Sequence, residues 1–532
     1  MKRHLEYPEC SVYDHIRKCA KEYGSLSALE YFGRSISYRE LIREINRCAC
    51  ALTAAGVNKG DSVSICLPNM PQAVYLFYAV SKVGAVANMI HPLSSENEII
   101  NYVKLTESKY IFAVDLIADK LRKVVRKANV KLAVVISPAD EMPVLYKAGY
   151  KLKEIKERVK KSEFTDWKQF ILRAAPGDKY YNTHGGADDC AAILYSGGTT
   201  GKPKGIMLTN LNFNALALQS IDACGCLEKG DRVLSVMPVF HGFGLGVCIH
   251  TVLTFGGTAV ILPKFNVAEF DKLIFKYRPG VIAGVPAIYE AMLRSDGFEG
   301  KQLDFIKCVI SGGDSLAENT KLKLNEMLKV HGCKCTVREG YGLTECVTGS
   351  CLTPDKCTLT GTCGLPYADT FYKIIDPESG RELPDGETGE IILRGPTVMK
   401  GYYKETDETA DTLVKDSDGY IWLHTGDLGC KDENGYNIYP QVIENVISSH
   451  KDVAMCAVVG IPDELRGQRV KAFVMLREGA SREKVRSELD KLMQNNVSAY
   501  AIPKEIEFVD SFPKTLVGKI AYNELITEEM RK

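Results

Sequence analysis

The stretch Tyr195-Ser196-Gly197-Gly198-Thr199-Thr200-Gly201-Lys202-Pro203-Lys204-Gly205 follows directly on the apolar, strand-like run Ala191–Leu194. Its glycines let backbone N–H groups approach phosphate oxygens, and its hydroxyls and lysines add hydrogen-bond donors and positive charge. The spacing differs from a Walker loop, because Pro203 stands where that loop needs Ser or Thr. Such a loop alone is more often a flexible connection, so the surrounding sequence has to decide between the two interpretations.

Regular patterns on both sides of the loop alternate between strands and helices. Strands are predicted at Ser62–Pro68 and from Tyr110 and Leu132, and a helix is predicted after the N-cap residue Ser37. This alternation favours an α/β protein with mainly parallel sheets. After Cys430 the pattern changes to that of a small α+β unit. We therefore predict a domain at 1–430 and a second domain at 431–532.

The composition is that of an ordinary globular protein. The 532 residues are 45% hydrophobic and 25% charged, and the formal net charge is zero. This balance offers no basic surface for nucleic acid, and no apolar secretory run stands at the start of the chain. The most apolar window, Leu245–Leu262, is interpreted as a buried helix, a turn at Gly256-Gly257 and a strand, in preference to a membrane span.

The 18 cysteines are scattered along the chain, and several occupy helix-like core positions such as Cys48. Their close pairs have C-x-C spacing, which is not the C-x-x-C spacing of zinc sites. We interpret them as reduced core thiols of a cytoplasmic protein, in preference to disulfides or metal ligands.

Four further motifs contain residue types that suit a nucleotide site. They are Ser311-Gly312-Gly313-Asp314, Glu339-Gly340-Tyr341-Gly342-Leu343-Thr344-Glu345, Trp422-Leu423-His424-Thr425-Gly426-Asp427 and Pro513-Lys514-Thr515-Leu516-Val517-Gly518-Lys519. Each key residue has an ordinary alternative. Glu345 fits the first turn of a helix, Asp427 fits a turn cap, Tyr341 fits the core and Lys519 fits the surface. The joint occurrence of the motifs in this order favours function.

With these motifs the chain resembles the adenylate-forming superfamily, and within it the acyl-CoA synthetases. The resemblance covers nearly the whole chain, from about Val12 to the end. It implies an α/β fold with a large multi-sheet N-terminal domain and a small mobile α+β C-terminal domain. It also implies that the small domain rotates between two half-reactions. ATP first activates a carboxylic acid as an acyl-adenylate, and the acyl group then passes to CoA.

The resemblance assigns phosphate and metal contacts to the loop and to the Glu339–Glu345 motif. The loop Ser196–Lys204 is expected to hold the β- and γ-phosphates. Thr199, Thr200 and Glu345 are expected to serve Mg²⁺ and the triphosphate, with Thr200 and Glu345 as metal ligands. Thr344 is expected to contact the α-phosphate. Phosphoryl chemistry of this kind needs positioning and charge neutralisation more than a protein nucleophile.

The resemblance assigns the remaining nucleotide contacts to four motifs. Gly313, Asp314 and Tyr341 match an adenine pocket in which the tyrosine offers a stacking face. Asp427 matches the acid that binds the ribose hydroxyls. Lys519 matches the lysine that reaches the substrate carboxylate and the α-phosphate as a fixed cation. The residues expected to act in catalysis are Lys519, Thr344 and Glu345.

The acyl substrate is expected to contact His241, Phe243 and Gly246 in the segment that begins at Met237. Amino-acid activators of this family carry an aspartate where this chain has His241, so we expect a fatty or aromatic acid. Glycines at 244 and 246 are expected to leave room for an acyl chain, which suggests a medium- or long-chain fatty acid. The ordinary alternative for His241 is a buried histidine near a helix start. The expected partners are the acid, ATP and CoA, and the oligomeric state stays open.

Two other functions remain open at this point. The chain could be a homologue that binds nucleotide or acyl groups with impaired catalysis, or it could pass the acyl group to a carrier protein. No carrier domain follows Lys532, which favours CoA.

The first of these alternatives is raised by the segment Lys431-Asp432-Glu433-Asn434-Gly435-Tyr436-Asn437-Ile438-Tyr439-Pro440. Two landmarks of the family pattern meet here edge to edge. By comparison with that pattern, roughly 15 to 20 residues are missing near 435–438, more than a usual short connection varies. The missing part includes an arginine, the hinge residue and a glycine-containing loop. We expect this shortening to stiffen the domain connection.

Overall fold

The computed structural model describes residues 3–144, 146–147, 150, 163–173, 185–196, 204–263, 266–357, 359, 361–432, 438–440, 442–463, 467–496, 502–514 and 520–531. Three expected features lie outside these residues: the loop segment Gly197–Pro203, the junction residues 433–437, and Lys519 within 515–519.

The strands of the first half are β1 (Ser27–Tyr31), β2 (Arg34–Ser37), β3 (Ser62–Cys66), β4 (Val86–Met89), β5 (Tyr110–Val114), β6 (Leu132–Ile136), β7 (Thr165–Asp166), β8 (Cys190–Ser196), β9 (Lys204–Thr209), β10 (Arg232–Ser235), β11 (Thr258–Ile261), β12 (Val281–Gly284) and β13 (Cys308–Gly312). Those of the second half are β14 (Val337–Tyr341), β15 (Cys351–Leu352), β16 (Leu365–Pro366), β17 (Phe371–Ile375), β18 (Gly389–Arg394), β19 (Gly401–Tyr402), β20 (Leu413–Lys415), β21 (Ile421–Lys431), β22 (Ile438–Pro440), β23 (Val453–Asp463), β24 (Gly467–Leu476) and β25 (Glu505–Phe508).

The α-helices are Val12–Tyr23, Tyr38–Ala54, Pro71–Val83, Glu96–Leu105, Ala118–Lys127, Trp167–Ile171, Asn210–Cys224, Val252–Thr254, Phe270–Tyr277, Pro286–Arg294, Glu318–Val330, Thr406–Thr412, Val442–Ser448, Arg482–Asn496 and Tyr522–Arg531. A π-helix runs over Phe243–Thr251, and a short 3₁₀ helix over Thr344–Cys346.

Two large sheets dominate the N-terminal part of the described chain. One has nine strands in the order β16-β15-β14-β13-β12-β10-β11-β1-β2, and the other has eight in the order β19-β9-β8-β4-β3-β5-β6-β7. Most neighbouring pairs at their centres are parallel, as the strand–helix alternation predicted. The helix Pro71–Val83 is mostly apolar and every one of its residues is buried, Gln72 and Lys82 included, so it lies inside the core. The α/β prediction is confirmed.

The apolar window Leu245–Leu262 forms a helix, a turn and a strand, as predicted. Gly256 has φ +82°, which favours glycine, and β11 follows directly. The sequence did not indicate that most of this helix is π-helical. None of the described helices is long and apolar enough to cross a membrane.

The C-terminal part has its own sheet and its own core. β23 and β24 form a long antiparallel hairpin, and β25 lies parallel to β24. The Arg482–Asn496 helix contributes Val485 and Leu489 to a buried cluster with strand residues such as Val474. The predicted small α+β unit is therefore present.

The expected boundary at 430 falls inside a strand. β21 extends to Lys431, and β22 pairs with it in antiparallel register, Lys431 opposite Ile438. β22 is thereby the fifth strand of a sheet in the larger part whose other strands run in the order β17-β18-β21-β20. Elements of the smaller unit begin with the Val442–Ser448 helix, so the two units are joined directly after this hairpin.

Candidate active site

The first group of site residues lies at the ends of two neighbouring strands. β13 and β14 are parallel, and Gly312 pairs with Gly340 at their carboxyl ends. Gly313 follows β13 with φ +80°, a conformation that glycine adopts without strain. Asp314 and Tyr341 therefore emerge at the same sheet edge, where open α/β sheets bind ligands.

The Tyr341 hydroxyl donates a hydrogen bond of 2.7 Å to Asp427 Oδ2, across 86 positions of sequence. Burial raises the pKa of Asp427, and the bond from Tyr341 opposes this shift. The loop around Asp427 is held as well, because its backbone N–H donates to the Thr425 hydroxyl and that hydroxyl donates to the Ile391 carbonyl. Two residues predicted from separate motifs thus meet in one fixed pair.

Glu345 lies in the 3₁₀ helix that follows β14 and is only 9% exposed. Its Oε1 accepts a hydrogen bond of 2.9 Å from the Tyr402 hydroxyl. Burial raises the pKa of this carboxyl. Tyr402 is in place because β19 pairs with β9, with Tyr402 opposite Ile206. A buried carboxylate therefore lies beside the hairpin β8–β9, whose strands flank the predicted phosphate loop in the sequence.

The two ends of that loop are held together by the β8–β9 hairpin, in which Ser196 pairs with Lys204. The Lys204 ammonium forms an ion pair with Glu408 and lies 5.0 Å from the centre of the Tyr402 ring. Lys204 is thus held at the start of β9, next to Tyr402, whose hydroxyl binds Glu345.

Tyr402 and Glu408 are site residues that the sequence motifs missed. They stand in Gly401–Thr412, an acidic segment with four carboxylate residues that matches none of the motifs used above. They come close to Lys204 through the pairing of β19 with β9, and no local sequence pattern predicts that pairing.

A cavity opens beside the carboxyl ends of β13 and β14. It contains about 690 Å³ of empty space, part of it open to solvent. Gly312, Gly313, Gly340 and Gly349 line the end near Tyr341. The far end and the covering helix contribute larger apolar side chains. These are Leu227, Val233, Val247, Val252, Phe255 and Val281.

The model of the AMP-binding enzyme family matches residues 16–403, and that of its C-terminal domain matches residues 442–519. The chain belongs to this family.

The relatives place the AMP-binding enzyme in the acyl-CoA ligase branch, as the motifs implied. A long-chain-fatty-acid–CoA ligase of Bacillus subtilis (strain 168) is 32% identical over 99% of this chain and 96% of its own length. A 4-coumarate–CoA ligase-like 2 protein of Arabidopsis thaliana is 31% identical over 93% of this chain and 86% of its own length. The Bacillus alignment extends over 556 residues, more than this chain possesses, so the relative has residues that this chain lacks.

Solved structures show the same fold. ATP-bound MatB from Rhodopseudomonas palustris is 26% identical, and the match covers 97% of this chain and 98% of that chain with a TM-score of 0.78. The large multi-sheet domain and the smaller C-terminal unit are therefore those of this enzyme family.

Two predicted acyl contacts of this AMP-binding enzyme lie away from the cavity. Gly246 faces the packing between helices, because a Cβ there would stand 2.7 Å from Leu216 Cδ2 and 3.1 Å from Val347 Cγ1. The missing side chain of Gly246 thus allows this close packing, and its contact with the acyl substrate stays a prediction. The His241 ring is half-buried, 5.2 Å from the Phe240 ring, and outside the cavity lining. Phe243 does line the cavity, and its contact with the acyl substrate stays a prediction.

The C-terminal unit of the AMP-binding enzyme approaches the nucleotide pocket through Glu444. Its Oε1 accepts hydrogen bonds from the Val458 N–H at 2.6 Å and from the Tyr522 hydroxyl at 3.0 Å. Burial raises the pKa of Glu444 to about 8, and the negative charges of Asp314 and Asp427 contribute to the shift. The end of the chain that carries Tyr522, three positions after Lys519, is therefore close to the pocket.

Proposed function

We propose that this enzyme is an AMP-forming acyl-CoA synthetase whose substrate is a medium- to long-chain fatty acid. One observation carries the choice of acid: the apolar cavity starts at the glycines beside Tyr341 and continues under the π-helix to Phe255. A carboxylate at the glycine end would lie at the nucleotide pocket. The alkyl chain would then occupy the part lined by branched side chains, where burial of each CH₂ contributes about 0.8 kcal/mol.

The length of the cavity supports a chain of about twelve carbons. Its lining crosses the sheet from Gly340 on β14 through Gly312 on β13 and Ala283 on β12 to Val233 on β10. Three strand spacings of about 4.8 Å give roughly 14 Å. An extended chain advances about 1.2 Å per bond, as follows from the span of an extended peptide. An aromatic acid would fill only the first part of this space.

The residues of the pocket fit the adenylation step. A carboxylate oxygen of the acid attacks the α-phosphorus of ATP, and the bond between the α- and β-phosphates breaks to release pyrophosphate. We assign Asp427 to the ribose hydroxyls, Tyr341 to the adenine face and Thr344 to the α-phosphate. Lys519 would supply the fixed cation, and its exchange for alanine would abolish adenylation while sparing thioester formation from supplied acyl-adenylate.

The environment of Glu345 fits a Mg²⁺ ligand. Magnesium prefers carboxylate oxygens and substrate phosphates, and when bound it neutralises charge on the phosphates. Burial holds the pKa of Glu345 above its usual value, which a nearby cation would reverse. Glu345 would hold the ion together with Thr200 of the loop. Lys204, already paired with Glu408, would keep the loop in place.

In the second step the thiolate of CoA attacks the acyl carbon, and AMP leaves with the electron pair of the broken bond. The deciding experiment measures ATP–pyrophosphate exchange and acyl-CoA formation with purified protein over short, medium, long and aromatic acids. We expect the highest kcat/KM for saturated acids of about twelve carbons. Exchange with none of these acids would overturn the ligase assignment, and a preference for aromatic or short acids would overturn the substrate class.

The junction favours a second candidate, an enzyme that forms acyl-adenylate but transfers it poorly. β22 pairs directly with β21, so the smaller unit starts two residues after a strand of the larger sheet. Short connections restrict the rotation that the second step requires. This candidate predicts normal pyrophosphate exchange with slow thioester formation. Insertion of a family hinge of roughly 15 to 20 residues between Gly435 and Asn437 would then restore the second step. Equal rates of both steps in the natural chain would exclude it.

A further inference from the structure

The wall of the cavity is built from a π-helix, and this geometry has a consequence for substrate choice. The helix and its continuation present Phe243, Val247, Thr251, Val252 and Phe255 to the cavity. Phe243, Val247 and Val252 are four and five residues apart, Thr251 stands beside Val252, and Phe255 follows three residues later in the α-helical continuation. An α-helix brings residues three and four apart onto one face, whereas i→i+5 bonding brings together residues four and five apart. The stripe formed by Phe243, Val247 and Val252 therefore depends on the π form.

The π form is held from within by Thr251. Its hydroxyl donates a hydrogen bond of 3.0 Å to the carbonyl oxygen of Gly246, five residues earlier. A second hydroxyl binds the same helix from outside, because Ser235 Oγ of β10 donates to the Cys248 carbonyl at 2.8 Å. Both bonds occupy carbonyl groups of the wider helix.

A buried polar network fixes the opposite face of the helix. His250 is fully buried, with Nε2 3.0 Å from Asn214 Oδ1 and Nδ1 2.9 Å from the Tyr78 hydroxyl. Asn214 Oδ1 can only accept hydrogen bonds. It therefore accepts one from His250 Nε2–H and one from His15 Nδ1–H, the latter also at 3.0 Å. Burial lowers the pKa of His250, so its Nδ1 accepts from Tyr78.

We propose that Tyr78, His250 and Thr251 are positioning residues that hold Phe243–Thr251 in the π form and thereby set the length of acyl chain that the enzyme accepts. Tyr78 and His250 do not line the cavity, so any effect they have on selectivity must pass through the helix. Without the bonds from Tyr78 and Thr251, the helix can shift toward α geometry and rotate the stripe away from the chain. This inference rests on the proposed acyl-CoA synthetase function.

The first test is Tyr78→Phe, which removes one hydroxyl and leaves His250 Nδ1 buried without its donor. The matched control is Tyr75→Phe in the same helix. Tyr75 is equally buried, and among the described residues its hydroxyl has no hydrogen-bond partner. The measurement is the ratio of kcat/KM for a long acid to that for a short acid. We expect Tyr78→Phe to change this ratio about three- to tenfold, the range that one buried hydrogen bond covers, and Tyr75→Phe to leave it unchanged.

The second test keeps the inference open to refutation if Tyr78→Phe folds poorly. Thr251→Val retains the shape of the side chain without its hydroxyl, and Thr251→Ser retains the hydroxyl. We expect the chain-length ratio to shift in the valine variant and to return toward the natural value in the serine variant. Equal losses for all acids, or an unchanged ratio, would refute the positioning role while the synthetase function stands. Absence of activity with every acid in the natural protein would instead refute the proposed function.

Discussion

The proposed nucleotide pocket and the proposed acyl cavity share strands β13 and β14, yet they are held together by different forces. In the pocket, polar pairs join distant parts of the chain, as Tyr341 joins Asp427 and Tyr402 joins Glu345. In the cavity, apolar side chains and glycines face an empty space, and the polar bonds lie behind the wall. A substitution in the pocket should therefore change kcat/KM by the same factor for every acid. A substitution in the cavity should change which acids are preferred.

The largest loss is expected at Asp427. Asp427→Ala removes the charged acceptor proposed for the ribose hydroxyls and also the partner of Tyr341. We expect kcat/KM for ATP to fall about a hundredfold, since bonds to a charged group contribute about 1.5–3 kcal/mol each. Tyr341→Phe is the control that removes the hydroxyl alone, with a smaller loss. The comparison between the regions fails if either variant changes the ratio between long and short acids.

The next effect is expected in the middle of the cavity. Ala283 is buried on β12 and lines the space between the glycine end and the far end. Ala283→Phe should fill that space, so kcat/KM for long acids should fall at least about tenfold while short acids are retained. Ala283→Val should give an intermediate result. Uniform loss across the series, with the thermal stability unchanged, would contradict the proposed path of the acyl chain.

These two regions also differ in how far the sequence could predict them. The residues of the proposed pocket could be named from the sequence because their motifs match the family's motifs in the same order, and each motif lies within a few positions. Tyr402 was not predicted, because it reaches Glu345 only through the register in which β19 pairs with β9. Partners that depend on long-range register leave no local pattern.

The cavity could not be predicted, because its residues are those of any core. Val233 and Val281 read as ordinary strand residues, and only the packing of the π-helix over them leaves a space. Gly246 suggested room for a substrate, but a glycine does not tell which face of a helix it occupies. The helix itself was predicted from its apolar length, whereas its π form depends on bonds to Thr251, Ser235 and His250.

A smaller, uniform effect is expected at Tyr402. Tyr402→Phe removes the hydrogen bond to Glu345 but keeps the ring under the Lys204 ammonium. We expect kcat/KM to fall about three- to tenfold for every acid, together with a higher Mg²⁺ requirement. Glu408→Gln, which weakens the ion pair with Lys204, is the companion variant. A fall in activity with an unchanged Mg²⁺ requirement would remove Glu345 from the metal site.

The smallest effect on activity at neutral pH is expected at Glu444, and it separates the two regions by pH. The folded pKa of about 8 lies above the ordinary value of 4.5, so the stability it contributes is fully present below 4.5 and is lost as pH rises through 8. Glu444→Gln mimics the protonated form, because its amide oxygen can still accept from Val458 and Tyr522.

The free energy of unfolding of the natural protein should therefore fall between pH 4.5 and 8 by about 5 kcal/mol relative to Glu444→Gln. Because the charges of Asp314 and Asp427 raise this pKa, Asp427→Asn should move the fall to lower pH. Ala283→Val changes the cavity without changing any charge, so it should leave the pH range of this fall unchanged. A fall that persists unchanged in Glu444→Gln would assign the pH dependence to another group. If the fall occurs over the same pH range in Asp427→Asn as in the natural protein, the pocket and the C-terminal unit are electrostatically independent.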